Sequence, residues 1–370
     1  METKVAIIGG GLAGTSCAYF LKKEGYTPII FEAGDNLASG ASGNPVGLYN
    51  PRFYAEKTLE AEFYADAFLQ SSIFFAELGD KISYSPHGSL HLINSEEKQK
   101  RFSRMKQNWG WSDDKMQLLS KEEASNVAGV EITFEGLFLP TSGTVSPSKL
   151  CQAYAEGIDV QLNSSVTEIA QKSDQWSVNG EDFDIVIFAC GAGVRNFTYT
   201  DWLPVETIRG QITQFEGTEL SRHLKTNLNY GGYITPSFSG VHTSGSTFQK
   251  WLDHTDVIEE DNDFILNKVK DVVPDFSTMK SVVNARASLR TSSNDRLPII
   301  GQMVEREPSN REIIYVPNMY ISSAHGSHGI VTSYMAAKLI NQKIQGTQQS
   351  AYEKVVAPKR FLERQLRKAN

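Results

Sequence analysis

The amino-acid sequence predicts an α/β protein in which a parallel-sheet domain is interrupted twice by a domain of mixed, largely antiparallel strands. A strand, a glycine-rich turn, a helix and a second strand fill residues 4–32. A continuous apolar run at residues 184–189 fits a strand buried on both faces of a parallel sheet. A third strand–helix segment follows residue 318, after long stretches of alternating texture. The α/β pieces are therefore separated in sequence. They are expected to form one discontinuous domain over 1–80, 140–202 and 286–370, with the β-rich domain over 81–139 and 203–285.

In chain order, residues 4–8 form the first strand. The helix after it places Ala13, Cys17, Phe20 and Leu21 on one face, with Lys22 and Lys23 in the last turn and Gly25 as cap. Residues 28–31 form the second strand, which ends at Glu32. Residues 38–51 are a run of small residues whose backbone can approach a ligand closely. Residues 55–78 read as a helix, with Leu59, Phe63, Phe68 and Phe75 in register. Residues 83–93 and 133–139 read as strands, and Ser146-Pro147 as the N-cap and first position of a helix reaching 156. Strands are expected at 205–215, 229–236, 241–247 and 281–289, with a helix over 258–272 among them. A strand at 319–323 and a helix over 330–341 precede a basic tail.

Of 370 residues 40% are hydrophobic, enough for two cored domains, and no long low-complexity run occurs, which excludes general disorder. No stretch approaches the ~20 apolar residues of a membrane helix. The sequence enters a strand at once without a signal-peptide pattern, so a cytoplasmic protein is expected. Three scattered cysteines, Cys17, Cys151 and Cys190, offer neither a disulfide framework nor a metal site, and no metal is expected. The net charge of −7 argues against a broad nonspecific nucleic-acid surface.

The first unit carries Gly9-x-Gly11-x-x-Gly14 between strand and helix, with Glu32 at the end of the next strand. Gly9 suits the tight turn, Gly11 lets backbone N–H groups approach a pyrophosphate, and Gly14 permits close helix–strand packing. The helix N-terminus offers unpaired donors and partial positive charge to the phosphates, and Glu32 can accept ribose hydroxyl hydrogens. A βα turn with incidental glycines is the plainer alternative, and Glu32 in place favours dinucleotide binding. NAD and FAD share this adenosine half, so the unit alone does not separate them.

The rest of the chain resembles the D-amino-acid-oxidase superfamily of FAD-dependent amine oxidases along nearly its whole length. The likeness lies in residues 7–14, Phe31-Glu32, residues 189–192, Arg290 to Gly301, and Gly326-Ser327-His328-Gly329-Ile330. A narrower likeness, to the FAD-dependent oxidoreductase domain of the bifunctional tRNA-modifying MnmC enzymes, lies in residues 38–51, 231–236, 245–248 and 290–298. The superfamily resemblance implies a Rossmann-like FAD-binding domain with an interleaved antiparallel or mixed β-sheet substrate domain. It implies FAD contacts at Gly9, Gly11, Leu12, Ala13, Gly14, Glu32 and Ala33, at Ser39, Gly40, Ala41, Ser42 and Gly47, and at Val166, Cys190 and Gly191. Gly326, Ser327, His328, Gly329 and Ile330 would complete the set. The narrower resemblance implies removal of the carboxymethyl group from wobble 5-carboxymethylaminomethyl-(2-thio)uridine in tRNA, giving the 5-aminomethyl nucleoside and glyoxylate. The sequence starts at the Rossmann strand, so any later methylation is expected from another protein.

An N-substituted glycine loses hydride to flavin N5, and the resulting imine hydrolyses; the protein positions, excludes water and stabilises charge. By the family pattern Arg290 grips the substrate carboxylate, for which a planar guanidinium is suited. The plainer alternative pairs Arg290 with a structural carboxylate such as Asp295. Tyr233 is expected to close the pocket or to be a core tyrosine. The helix after Gly326 would stabilise charge on the reduced flavin, and His325 and His328 would line the flavin site or its rim. Arg209-Gly210-Gln211 would face the isoalloxazine, again by family likeness. No cysteine lies in a covalent-flavin motif, so FAD is expected to be held noncovalently.

Residues 354–370 carry six cations against Glu363, a net +5. Such a tail would hold a tRNA phosphate backbone or be a solvated amphipathic helix. The expected partners are the tRNA anticodon region and molecular oxygen or another electron acceptor, with no membrane. Two alternatives stand beside the tRNA oxidase: a small-molecule glycine, sarcosine or D-amino-acid oxidase, and a catalytically silent flavin-fold module that binds tRNA or a protein.

Overall fold

The computed structural model describes residues 2–307, 312–347 and 350–368. Two sheets organise it. The six-stranded sheet runs Ile299–Val304, Tyr315–Ser323, Ile185–Phe188, Lys4–Ile8, Thr27–Phe31, Asp159–Gln161; all neighbours are parallel except the first pair. Residues along a strand alternate between faces. Val5 and Ile7 accordingly pack with the helices Leu12–Lys23, Leu59–Leu78 and Gly329–Ile344, while Ala6 and Ile8 pack with Trp176, Val178 and Phe183. Those last three belong to a small antiparallel sheet, Ile169–Lys172, Gln175–Val178 and Glu181–Phe183, that the sequence reading does not foresee.

The eight-stranded sheet runs Val282–Ser293, Val205–Glu216, Val241–Gly245, Tyr233–Ile234, Asn227–Asn229, Ser89–Leu92, Gly136–Leu139, Gln117–Leu119. The expected domain boundary at 286 falls inside its first strand. Directly opposite residues share a face. One row crosses the sheet: His91 faces Asn229, Asn229 faces Tyr233, Tyr233 faces Gly245, Gly245 faces Ile212, and Ile212 faces Arg286. Period-two alternation adds Ser288 and Arg290, opposite Gly210 and Ile208, to the same face. The helix Glu259–Val272 covers the other face through Ile265, Leu266 and Val269.

Several elements differ from expectation. The long helix begins at Leu59, because the Thr58 hydroxyl accepts the Ala61 N–H at 3.3 Å and caps it there. The segment expected over 229–236 is two short strands broken at Gly231, which adopts φ 111°. Within 81–139 lie two helices that the reading missed, Glu96–Trp109 and Lys121–Ala128, the second closed by a Ser120/Glu123 capping box. The tail is an ordered helix, Lys359–Lys368. Among the described residues no helix is long and apolar enough to cross a membrane.

Candidate active site

A cavity of about 1370 Å³ lies between the two sheets. It exceeds the ~300–1,000 Å³ of ordinary small-ligand sites, as a dinucleotide with a substrate beside it requires. One end is built by the first βαβ unit. Gly9 has φ 113°, and a Cβ there would sit 2.6 Å from the Ala189 carbonyl oxygen; a Cβ on Gly14 would sit 1.9 Å from the Gly9 oxygen. Gly14 therefore seats the helix on the strand, and Gly9, Gly11, Leu12 and Ala13 line the cavity. The Ser42 hydroxyl accepts the Leu12 N–H at 3.0 Å, which ties the small-residue loop to the helix start.

Glu32 is buried, and its carboxylate accepts the N–H groups of Gly10 at 2.7 Å and Gly34 at 2.8 Å and the Ser39 hydroxyl at 2.9 Å. A carboxylate has about four lone-pair directions. One remains for a ribose hydroxyl, and rotation of Ser39 frees a second. Ala33, Ser39, Gly40, Ala41, Gly47, Val166, Cys190 and Gly191 also border the cavity. Burial pushes the Cys190 thiol up to about 12.

At the far end Gly326 to Ile330 enter the Gly329–Ile344 helix and line the cavity. The first N–H groups of a helix lack intrahelical acceptors, so this terminus can receive negative charge. Burial holds His325 and His328 down to about 4, so both imidazoles are neutral at pH 7. His325 is engaged by Thr332 Oγ1 at 2.9 Å and Ser322 Oγ at 3.1 Å. Among the described residues no cluster of three or more His, Cys, Asp or Glu could hold a metal.

Arg290 and Tyr233 meet on the opposite wall. Arg290 Nη2 donates to the Thr247 carbonyl oxygen at 2.8 Å, and no described carboxylate pairs with it. The plainer alternative thus falls, because Asp295 is held by Arg360 Nε at 2.9 Å and Arg364 Nη1 at 2.6 Å. Burial raises the Tyr233 phenol to about 12 while the Arg290 charge pulls it down. The phenol therefore keeps its proton for donation.

One expectation needs correction. Of Arg209-Gly210-Gln211 only Gly210 faces the cavity. Strand alternation turns Arg209 and Gln211 to the other face, where Arg209 pairs with Asp261 at 2.7 Å and Gln211 bonds Asn262 at 2.9 Å. The basic tail is an amphipathic helix that docks one face through Phe361, Leu362 and Arg360, while Arg364, paired with Asp295, and Arg367 stay exposed.

The sequence reading also missed residues that the sheet row brings in. Arg286 donates to Asn44 Oδ1 and to the Ser39 carbonyl, both at 3.1 Å, clamping the small-residue loop; its position four before Arg290 was the available signal. Asn50 Oδ1, Asn229 Nδ2 and Ser333 Oγ, on residues that line the cavity, are buried without partners among the described residues. Unpaired buried polar atoms are costly, and here they mark places for ligand atoms.

Residues 4–343 match the model of the family described as FAD dependent oxidoreductase. The chain belongs to that family. The glycine turn, the Glu32 cradle and the orphaned polar atoms fit such a cofactor, and members of this family are redox enzymes that use it. The chain is 28% identical over 359 residues to the tRNA 5-methylaminomethyl-2-thiouridine biosynthesis bifunctional protein MnmC of Methylobacillus flagellatus, covering 91% of this chain and 55% of that protein. It is 28% identical over 390 residues to the MnmC protein of Legionella pneumophila, covering 99% and 58%. It thus spans a little over half the length of these relatives. Among solved structures, glycine oxidase from Geobacillus kaustophilus superposes with a TM-score of 0.79 at 21% identity, covering 96% of this chain and 98% of that one. L-proline dehydrogenase from P. horikoshii gives 0.81 at 17%, covering 98% of each. These likenesses establish the fold of this FAD-dependent oxidoreductase.

Proposed function

We propose that the protein oxidises the carboxymethylaminomethyl group of 5-carboxymethylaminomethyl-(2-thio)uridine at the wobble position of tRNA, releasing glyoxylate and leaving the 5-aminomethyl nucleoside. The observation that carries this reading is Arg290, a cavity-lining guanidinium without a carboxylate partner among the described residues. The MnmC relatives, biosynthesis proteins for a tRNA nucleoside by name, support the choice of substrate.

Arg290 holds the carboxylate of the N-substituted glycine, and the protonated Tyr233 phenol donates beside it. Flavin, when bound, supplies the two-electron acceptor for hydride leaving the carbon between carboxylate and amine. The nitrogen lone pair forms the C=N bond as that hydride departs. Water then adds at this carbon, the C–N bond breaks, and the nitrogen keeps the electron pair and takes a proton. The neutral imidazoles of His325 and His328 add no positive charge against the amine.

FAD is held noncovalently in this reading, supported by the protonated Cys190 thiol and by the engagement of the His325 ring with Thr332 and Ser322. The Gly329–Ile344 helix terminus steadies negative charge by about 0.3–1 kcal/mol. The test is digestion of modified tRNA after incubation with the FAD-loaded protein. Conversion to the aminomethyl nucleoside with equimolar glyoxylate is expected, and unaltered nucleoside would refute the assignment.

A further inference from the structure

Trp251 and Phe248 are the aromatic side chains most open to solvent among the described large hydrophobics, at 76% and 60% exposed. They lie three residues apart in sequence, and Phe248 lines the cavity. Their backbone is firmly set. Thr247 N–H donates to the Gln211 carbonyl at 3.2 Å, and Gln249 exchanges both main-chain hydrogen bonds with Arg209 at 3.0 Å. The Gln249 side chain turns to the helix side, where its Nε2 donates to Asp261 at 2.9 Å. Phe248, of opposite parity, goes to the cavity side. The carbonyl just before Phe248 is the one that Arg290 Nη2 grips.

This spacing meets the chemistry of the substrate. With its carboxylate at Arg290, an extended carboxymethylaminomethyl arm puts the attached ring about 5 Å away by standard C–C and C–N bond lengths. Because Arg290 is bonded to the carbonyl just before Phe248, a ring at that distance is within reach of the Phe248 side of the cavity. A free amino acid would leave both aromatic faces in water. We propose that Phe248 and Trp251 form a stacking platform for the modified uracil and its unpaired neighbour in a single-stranded RNA loop, an assignment that rests on the RNA reading above. Every base has a π-face, so aromatic stacking serves without reading sequence. The acidic residues that follow, Asp253, Asp256, Glu259 and Glu260, do not suit phosphate, so the contribution of this segment is stacking and not charge.

The experiment uses the full FAD-loaded chain and an anticodon stem-loop RNA carrying 5-carboxymethylaminomethyluridine, with N-ethylglycine as the arm without its base. Trp251→Ala and Phe248→Ala are expected to raise the half-saturating RNA concentration for anaerobic flavin reduction roughly five- to a hundredfold. The factor for N-ethylglycine should stay close to one, and Trp251→Phe should recover most of the loss. The loss should be equal at low and high salt, whereas a lost phosphate contact would change the salt slope. An unchanged RNA concentration, or equal factors for RNA and N-ethylglycine, overturns the platform while leaving the RNA reading intact. Wild-type flavin reduced by N-ethylglycine but not by the RNA overturns the RNA reading, and the platform with it. A dimer that Trp251→Ala dissociates with no effect on RNA assigns the rings to a second copy and likewise overturns the proposal.

Discussion

The guanidinium of Arg290 lies over the bare Cα of Gly210: a Cβ at that glycine would sit 2.0 Å from Arg290 Nη2. The missing side chain on one strand thus makes room for the arginine of the next. Gly210→Ala should displace the guanidinium and lower kcat/KM for the glycyl substrate at least about tenfold, with FAD still bound. Stopped-flow flavin reduction measures it, and wild-type rates would show that the close approach is dispensable.

Arg290→Ala removes the carboxylate partner altogether. A loss of about 2–5 kcal/mol in kcat/KM is expected, the range for stranding a buried charge. Arg290→Lys should recover only part, because an ammonium cannot form the planar two-point grip. Steady-state kinetics of all three proteins would decide it, and a lysine variant equal to wild type would speak against the bidentate contact.

Glu32 sits in a web of three donors from Gly10, Gly34 and Ser39. Glu32→Ala should weaken FAD binding by about 1.5–3 kcal/mol, the scale of a hydrogen bond to a charged group. Glu32→Gln should fall between it and wild type. Flavin fluorescence on dilution gives the dissociation constants; equal values would remove the ribose role.

Half-buried neutral imidazoles impose an acid limit. His91, His325 and His328 are each held down to about 4 by burial, against 6.5 when exposed. The unfolded chain therefore binds protons first. This share of stability is complete above about pH 6.5 and is lost as pH falls toward 4, by up to about 3 kcal/mol per imidazole. His325→Gln should flatten the fall in Tm between pH 7 and 4.5 seen by calorimetry. A variant with the wild-type slope would show that His325 contributes none of it.

The cofactor end was the most legible in sequence, because Gly9 and Gly14 answer backbone demands that other residues cannot meet. The eight-stranded sheet was less so. Reading Arg209-Gly210-Gln211 as one unit ignored the two-residue period, which puts Gly210 with Arg290 and sends its neighbours to Asp261 and Asn262. Arg286 was hidden because its partners are main-chain carbonyls 246 and 247 positions away and a side chain 242 away. Charge counting left the tail undecided, since a formal +5 does not reveal that Arg360 and Arg364 converge on Asp295. The helix Glu96–Trp109 was missed among its charges, although Phe102, Met105 and Trp109 carry the helical spacing that buries it.

The central claim is that the Arg290 cavity takes a glycyl group carried on RNA. Anaerobic titration of the FAD-loaded protein compares modified anticodon stem-loop RNA with millimolar glycine and sarcosine. The account predicts that the flavin colour bleaches with the RNA at micromolar concentration, whereas the free amino acids bleach it only at millimolar concentration. Bleaching by glycine or sarcosine, with the RNA inert, would contradict it.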